Sequence, residues 1–221
     1  MLNPNQKEAV NYFNSHLLII AGPGTGKTHT LTQKIIYAIK KRKISPKDIL
    51  ALTFTNKARE ELNSRLKDHN LNNLAHTFHS FSLKILNLPE INIINSDDRS
   101  EFINKLAKES KLKARDLEHI ISTNKIKNIP DLFTQKYNDY LKSNNLLDYD
   151  DLLLNTFNLP QIPQYQYLFI DEFQDTSDIQ YQIIKKLRPK HITAIGDPHQ
   201  SIYGFRGAIP DIFLKFQKPF V

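Results

Sequence analysis

The run LLIIAGPGTGKTHTLTQKIIYAIK, residues 17–40, constrains this chain more than any other feature. Leu17–Ile20 reads as a short buried strand, and residues 27–40 carry apolar positions at helical spacing. Between them Gly22, Gly24 and Gly26 alternate with Pro23 and Thr25. A strand that turns through glycines into a helix leaves backbone N–H groups free to wrap an anion, and the helix N-terminus adds a favourable dipole. In that context Lys27 reaches the β- and γ-phosphates of a nucleotide, and the Thr28 hydroxyl binds Mg²⁺. Residues Ala21–Thr28 are therefore the expected nucleotide site. Its first position is Ala21 rather than the glycine of the strict pattern, but the wrapping glycines are present.

Apolar strands then alternate with helical patterns, which predicts a parallel α/β sheet flanked by helices. Strands are expected at Leu17–Ile20, Ile49–Thr53, 74–76, Tyr167–Ile170 and 192–195, with helices at 27–40, 57–66 and Phe78–Leu86. From about residue 88 to 160 the pattern becomes mostly amphipathic helix, for example 99–110, 114–123 and 131–141. The simplest arrangement is an α/β domain of residues 1–87 and 161–221, with residues 88–160 inserted as a helical subdomain.

The stretch YLFIDEFQD, residues 167–175, ends an apolar strand in two carboxylates. At the C-terminal edge of such a sheet they fall near the phosphate loop. There Asp171 can hold Mg²⁺ and Glu172 can polarise an attacking water. Two further stretches, LALTFTNKAREEL (50–62) and AHTFHSF (75–81), place Thr, Phe and a basic or polar residue at strand-to-helix junctions. Hydroxyls and helix N-termini suit phosphodiester contacts, and a phenylalanine there offers a stacking face. The same threonines suit helix caps, and the same phenylalanines suit core packing.

Charge supports a polyanionic partner without naming one. The net formal charge is +7, and residues 1–110 hold 16 Lys+Arg against 10 Asp+Glu, leaving 14 against 13 in the rest. Cysteine is absent, which excludes disulfides and thiolate metal sites. No signal peptide is visible, and the longest apolar run, residues 17–21, is far short of a membrane span. A cytoplasmic protein with no membrane partner is expected.

The ordered set LNPNQKEAV, AGPGTGKT, ALTFTNKA, TFHS, DEFQDTSDIQ and GDPHQSIYGFRGA resembles the N-terminal RecA-like lobe of UvrD/Rep/PcrA-type superfamily 1 DNA helicases. The inserted segment resembles the same family in LLDYDDLLL, residues 146–154. The resemblance implies an ATP-dependent DNA helicase or translocase with ATP and Mg²⁺ as cofactors and 3′–5′ polarity. Gln6 matches the family's adenine-reading glutamine. Lys27 and Thr28 match its phosphate and magnesium ligands, and Asp171 and Glu172 its magnesium-coordinating acid and catalytic base. Gln200 matches the sensor of the γ-phosphate. Phe54, Asn56, Thr77, His79, Tyr203, Phe205 and Arg206 fall in segments that line single-stranded DNA, and Phe205 stands where the family often has tryptophan.

Family members continue into a second RecA-like lobe whose arginines reach the γ-phosphate, whereas this sequence ends at DIFLKFQKPFV. The expected partners are therefore single-stranded DNA or a single-/double-strand junction, and a second lobe in cis or in trans. A non-enzymatic, ATP-gated single-strand-binding module or inactive helicase remnant is the alternative.

Overall fold

The computed structural model describes residues 1–88, 92–200 and 212–216. In chain order the elements are α1 (Pro4–Asn11), β1 (Leu17–Ile20), α2 (Lys27–Lys40), β2 (Ile49–Thr53), α3 (Asn56–Lys67), β3 (Ala75–Thr77) and α4 (Phe78–Leu86). Then come β4 (Asn92–Ile93), α5 (Ser96–Ser110), α6 (Ala114–Lys127), α7 (Leu132–Ser143), β5 (Leu146–Leu147) and α8 (Tyr149–Asn158). The last are β6 (Tyr167–Ile170), α9 (Asp178–Leu187), β7 (His191–Gly196) and α10 (Ile212–Phe216). They divide into two compact units, residues 1–81 with 161–221, and residues 82–160.

The first unit is built on a five-stranded sheet of order β1-β7-β6-β2-β3 in which every pairing is parallel. Parallel neighbours need crossover connections, and helices supply them. All five residues of β2 are buried, as they must be when layers cover both faces of a sheet. On α2, Leu31, Ile35 and Ala38 recur at helical spacing and are wholly buried, packed with Leu62 and Leu66 of α3 and Phe169 of β6. Truncating a leucine in such a core costs roughly 2–5 kcal/mol. The fold is the expected α/β parallel sheet flanked by helices.

Several elements differ from the sequence reading, each for a local reason. Helix α1 was not expected. It forms because Asn3 accepts from the Gln6 N–H at 2.8 Å while Gln6 Oε1 accepts from the Asn3 N–H at 2.9 Å, with Pro4 in the first turn. Helix α5 starts three residues early, where Asn95 accepts from the N–H groups of Asp97 and Asp98. Helix α6 continues to Lys127, where Asn128 takes a left-handed conformation at φ 52°.

The second unit is mainly helical, with one two-stranded parallel pairing of β4 and β5. Ile103, Leu106, Leu117, Ile121, Tyr137 and Leu141 form its core. Buried beside them, Lys125 Nζ lies 2.8 Å from both Asp148 Oδ2 and Asp151 Oδ1. Among the described residues, no helix is long and apolar enough to cross a membrane.

Candidate functional site

Because β1, β7 and β6 are parallel neighbours, the segments that follow them leave from the same edge of the sheet. Three chain segments converge there: residues 21–28, 171–175 and 197–200. The Ala21 N–H donates to Gly196 O at 3.0 Å, so the β1–β7 ladder runs on into the first residue of the loop. The Thr25 hydroxyl closes the turn by donating to Gly22 O at 2.7 Å. Gly26 caps α2 at φ 82°, a backbone conformation that side chains resist. A Cβ there would also meet Gln6 Nε2 at 3.3 Å. No side chain caps α2, so its first N–H groups keep their anion-binding capacity.

Lys27 extends its ammonium across this edge, 3.8 Å from Glu172 Oε2 and 3.5 Å from Gln200 Oε1. The next residue, Thr28, donates its hydroxyl to Asp171 Oδ2 at 3.2 Å. Asp171 is almost wholly buried at the end of β6. Burial, together with the neighbouring Glu172 charge, pushes its pKa up to about 6, against the pull of Thr28 and Lys27. Two hard oxygen donors 3.2 Å apart fit adjacent corners of an octahedral magnesium ion, whose ligands at 2.0–2.1 Å stand about 3 Å from each other. A cation would also relieve the cost of ionising Asp171 in this setting.

Glu172 takes the left-handed backbone conformation, φ 50° and ψ 48°, which is costly for a non-glycine residue. Its carboxylate accepts from Gln174 Nε2 at 2.8 Å, and Gln174 Oε1 accepts from the Asp197 N–H at 3.0 Å. That second bond depends on Gly196, because a Cβ there would collide with Gln174 Oε1. Asp197 in turn fixes the following turn, accepting the His199 N–H on Oδ1 and the Gln200 N–H on its carbonyl. Glu172 and Gln200 are thus tied to each other through Gln174 and Asp197. Asp175 lies alongside with a buried Oδ1 that has no hydrogen-bond partner among the described residues. Burial and the Glu172 charge push its pKa up to about 6 as well.

Gln6 is the first residue of the sequence-derived set to approach from outside the sheet. Its Nε2 donates to Thr25 O at 3.0 Å, and its Oε1 accepts from Asn3. One N–H and one lone pair remain, enough to meet one edge of a base. Ala21 and Gly22 are half-buried, while Pro23, Gly24 and Thr25 form the exposed tip.

Four of the residues expected to face nucleic acid, Phe54, Asn56, Thr77 and His79, lie at the C-terminal ends of β2 and β3, along the same edge. Phe54 is half-buried just beyond β2, and Asn56 is exposed in the first turn of α3. Thr77 is buried, its hydroxyl accepting the Ser80 N–H at 3.1 Å. That is helix-cap work, whereas His79 stays half-exposed in the first turn of α4. Tyr203, Phe205 and Arg206 lie outside the described residues.

The sequence reading missed Gln174, Asp175 and Asp197. The signal was present, since DEFQD and GDPHQ both set polar residues just past a strand end, but the hydrogen bond between Gln174 and Asp197 needed the strand order.

Comparisons with known proteins agree on one relationship. The family described as the UvrD/REP helicase N-terminal domain matches residues 2–100 and 90–221. The chain is 34% identical to a Mycoplasma capricolum protein named "Probable DNA helicase II homolog", over 100% of this chain and 37% of that protein. It is 36% identical to ATP-dependent DNA helicase Rep of Buchnera aphidicola, over 94% of this chain and 37% of the relative. With ATP-dependent DNA helicase PcrA of Staphylococcus epidermidis the identity is 32%, over 99% and 36% respectively. The chain therefore spans little more than a third of the length of these relatives.

Proposed function

The chain belongs to the UvrD/REP helicase N-terminal domain family, and from that premise we propose that it is the Mg-ATP-binding lobe of a superfamily 1 DNA helicase, coupling ATP binding and hydrolysis to its hold on single-stranded DNA. The convergence of Lys27, Thr28, Asp171, Glu172 and Gln200 from three strand ends carries this reading.

The backbone of residues 22–28 wraps the phosphates, and Lys27 adds a charge-assisted contact to the β- and γ-phosphates. Thr28 and Asp171 would hold magnesium, which would neutralise charge on the phosphate oxygens. Glu172 accepts the proton of the attacking water, its carboxylate kept in place by Gln174. Gln6 reads the adenine edge from the end of α1.

The contact between Gln200 and Lys27 links nucleotide to DNA. Gln200 accepts from the Lys27 ammonium at 3.5 Å. A γ-phosphate arriving at Lys27 competes for that ammonium and takes Gln200 as a new partner. Gln200 is only a few residues from Tyr203, Phe205 and Arg206, so its shift re-aims the residues that stack on DNA. Base–aromatic stacking is worth about 1–3 kcal/mol per base, so a small change of aim alters affinity substantially. Phe54, Asn56, Thr77 and His79 continue the DNA path along the sheet edge. Strand separation, with 3′–5′ polarity as in the family, draws on a second lobe in the same polypeptide or in another chain.

The test is single-stranded DNA affinity with and without a non-hydrolysable Mg-ATP analogue. The reading expects the analogue to change the affinity in wild type and not in Gln200→Ala. Equal DNA affinity in both nucleotide states would remove the coupling.

A further inference from the structure

Lys34 is buried to 1% exposure on α2, two turns beyond Lys27, in a position where an aliphatic residue would fill the same space. Among the described residues its ammonium has no carboxylate partner. Nζ donates to Ala9 O at 2.7 Å and to Tyr12 O, and lies 4.0 Å above the Phe13 ring. The two carbonyls belong to the C-terminal end of α1, which has no basic residue of its own in its last turn. A cation there adds a donor to the carbonyls at the helix end and complements the helix dipole. The placement is expensive: burial, with Arg42 close by, lowers the Lys34 pKa to about 7.

Helix α1 packs along α2 with a small buried face. Val10 is its one buried residue, and the remaining face is exposed or half-exposed. Its N-terminal end meets the phosphate loop through Gln6, Nε2 to Thr25 O at 3.0 Å, with Gly26 leaving the room. Eight residues of helix are about 12 Å long, and Gly26 to Lys34 along α2 covers the same distance. Helix α1 is therefore clamped at both ends to one rigid element, by the loop that opens α2 and by Lys34 two turns along it.

We infer that Lys34 is a positioning residue for base recognition: by fixing the C-terminal end of α1 it sets where Gln6 stands against the phosphate loop, and so the preference for an adenine over a guanine nucleotide. The inference rests on the proposed reading of this site as an adenine-nucleotide site. Phosphate binding belongs to the N–H groups of residues 22–28, whereas Gln6 of α1 meets that loop at the Thr25 carbonyl. Loss of the clamp therefore separates base preference from triphosphate affinity, whereas a purely structural lysine would change neither their ratio nor their order.

The experiment measures Mg-ATP and Mg-GTP dissociation constants for wild type, Gln6→Ala, Lys34→Met and Lys34→Arg, with melting temperatures alongside. Wild type is expected to prefer ATP, and Gln6→Ala to lose about threefold to tenfold of that preference, the value of one hydrogen bond. Lys34→Met should lose a similar share with GTP affinity nearly unchanged, and Lys34→Arg should restore it. Lys34→Gln, shorter and uncharged, carries the same expectation where Lys34→Met does not fold. An unchanged ATP:GTP ratio in Lys34→Met, with a shifted ratio in Gln6→Ala, overturns the role of Lys34. An unchanged ratio in Gln6→Ala removes base reading by Gln6 and the inference with it.

Discussion

Thr28 and Asp171 stand 143 positions apart in the chain, yet the Thr28 hydroxyl donates to Asp171 Oδ2 at 3.2 Å. The meeting follows from the sheet: β1 and β6 run parallel on either side of β7 and deliver their C-terminal ends to one edge. Two oxygen donors are brought together without any local sequence tie between them. Burial and the neighbouring Glu172 charge resist the ionisation of Asp171 there, against the pull of the Thr28 hydroxyl.

That cost gives a pH dependence with a definite sign. Asp171 has its pKa raised from 3.8 to about 6 by burial and by Glu172. A raised carboxyl pKa means that the folded state binds the proton more tightly than the unfolded chain. Its stabilising contribution is full below about pH 4 and is lost as pH rises through 6. Asp171→Asn is therefore expected to raise stability at pH 7.5 by about 1–3 kcal/mol and to reduce the slope between pH 4 and 6. Asp175, shifted in the same direction, keeps part of the slope. Urea denaturation at pH 4.5 and 7.5 reads both effects. Identical stability differences in wild type and Asp171→Asn would show that this carboxyl is not strained.

Glu172→Gln separates binding from chemistry. Glutamine keeps the size of the side chain that meets Gln174 but cannot take a proton from water. Mg-ATP affinity should stay within a few-fold of wild type, while turnover falls by about 10²–10⁴, the usual contribution of a general base. Single-turnover phosphate release measures it. A variant that hydrolyses ATP at the wild-type rate would move the base elsewhere, with Asp175 the first carboxylate to examine.

How much of this was legible in the sequence depends on the range of the interaction. Leu17–Ile20, Ile49–Thr53 and Tyr167–Ile170 were readable because short apolar runs between turn signals have few other uses. Residues 21–28 were readable because glycine spacing, a following lysine and a helix all lie in one stretch. The strand order was not readable, since the insertion of β7 between β1 and β6 is a matter of crossovers rather than of local pattern. Gln174 and Asp197 were missed for that reason: their hydrogen bond spans 23 residues and joins the ends of β6 and β7. Helix α1 was missed because its polar face hides the capping pair of Asn3 and Gln6.

Stacking on DNA can be told from packing in the core by comparing two phenylalanines. Phe54 is half-buried at the sheet edge, whereas Phe81 is wholly buried. Phe54→Ala is expected to weaken single-stranded DNA binding by about 1–3 kcal/mol with a melting temperature near wild type. Phe81→Ala should instead cost about 3–5 kcal/mol of stability. The double substitution Tyr203→Ala/Phe205→Ala should behave like Phe54→Ala. A large loss of stability in that double variant would assign both aromatics to packing. Fluorescence anisotropy with a labelled oligonucleotide, paired with thermal melts, distinguishes the outcomes.

The helical unit depends on one buried ion group. Lys125 is 3% exposed at its side chain and bridges Asp148 and Asp151. Burial works against the Asp148 charge, but the Lys125 ammonium outweighs it and holds that carboxyl below its ordinary range. Lys125→Met leaves two carboxylates without their cation and should cost about 3–5 kcal/mol. Lys125→Met/Asp148→Asn should recover part of that loss, a coupling that a double-mutant cycle reports. Additive losses would mean that the two side chains do not act as a pair.

If residues 21–28, with Asp171 and Glu172, form a Mg-ATP site, then Lys27 is the side chain whose loss nucleotide binding should feel first. On the proposed reading its ammonium would supply a charge-assisted contact worth about 1.5–3 kcal/mol, and its removal would leave the phosphate charge among neutral donors. Calorimetric titration of Mg-ATP into wild type and Lys27→Ala, both shown to be folded by circular dichroism, is the measurement. Wild type should bind one nucleotide per chain, and Lys27→Ala should bind at least about tenfold more weakly. Equal affinity in a folded Lys27→Ala, or no Mg-ATP binding by the wild-type chain, would contradict that reading.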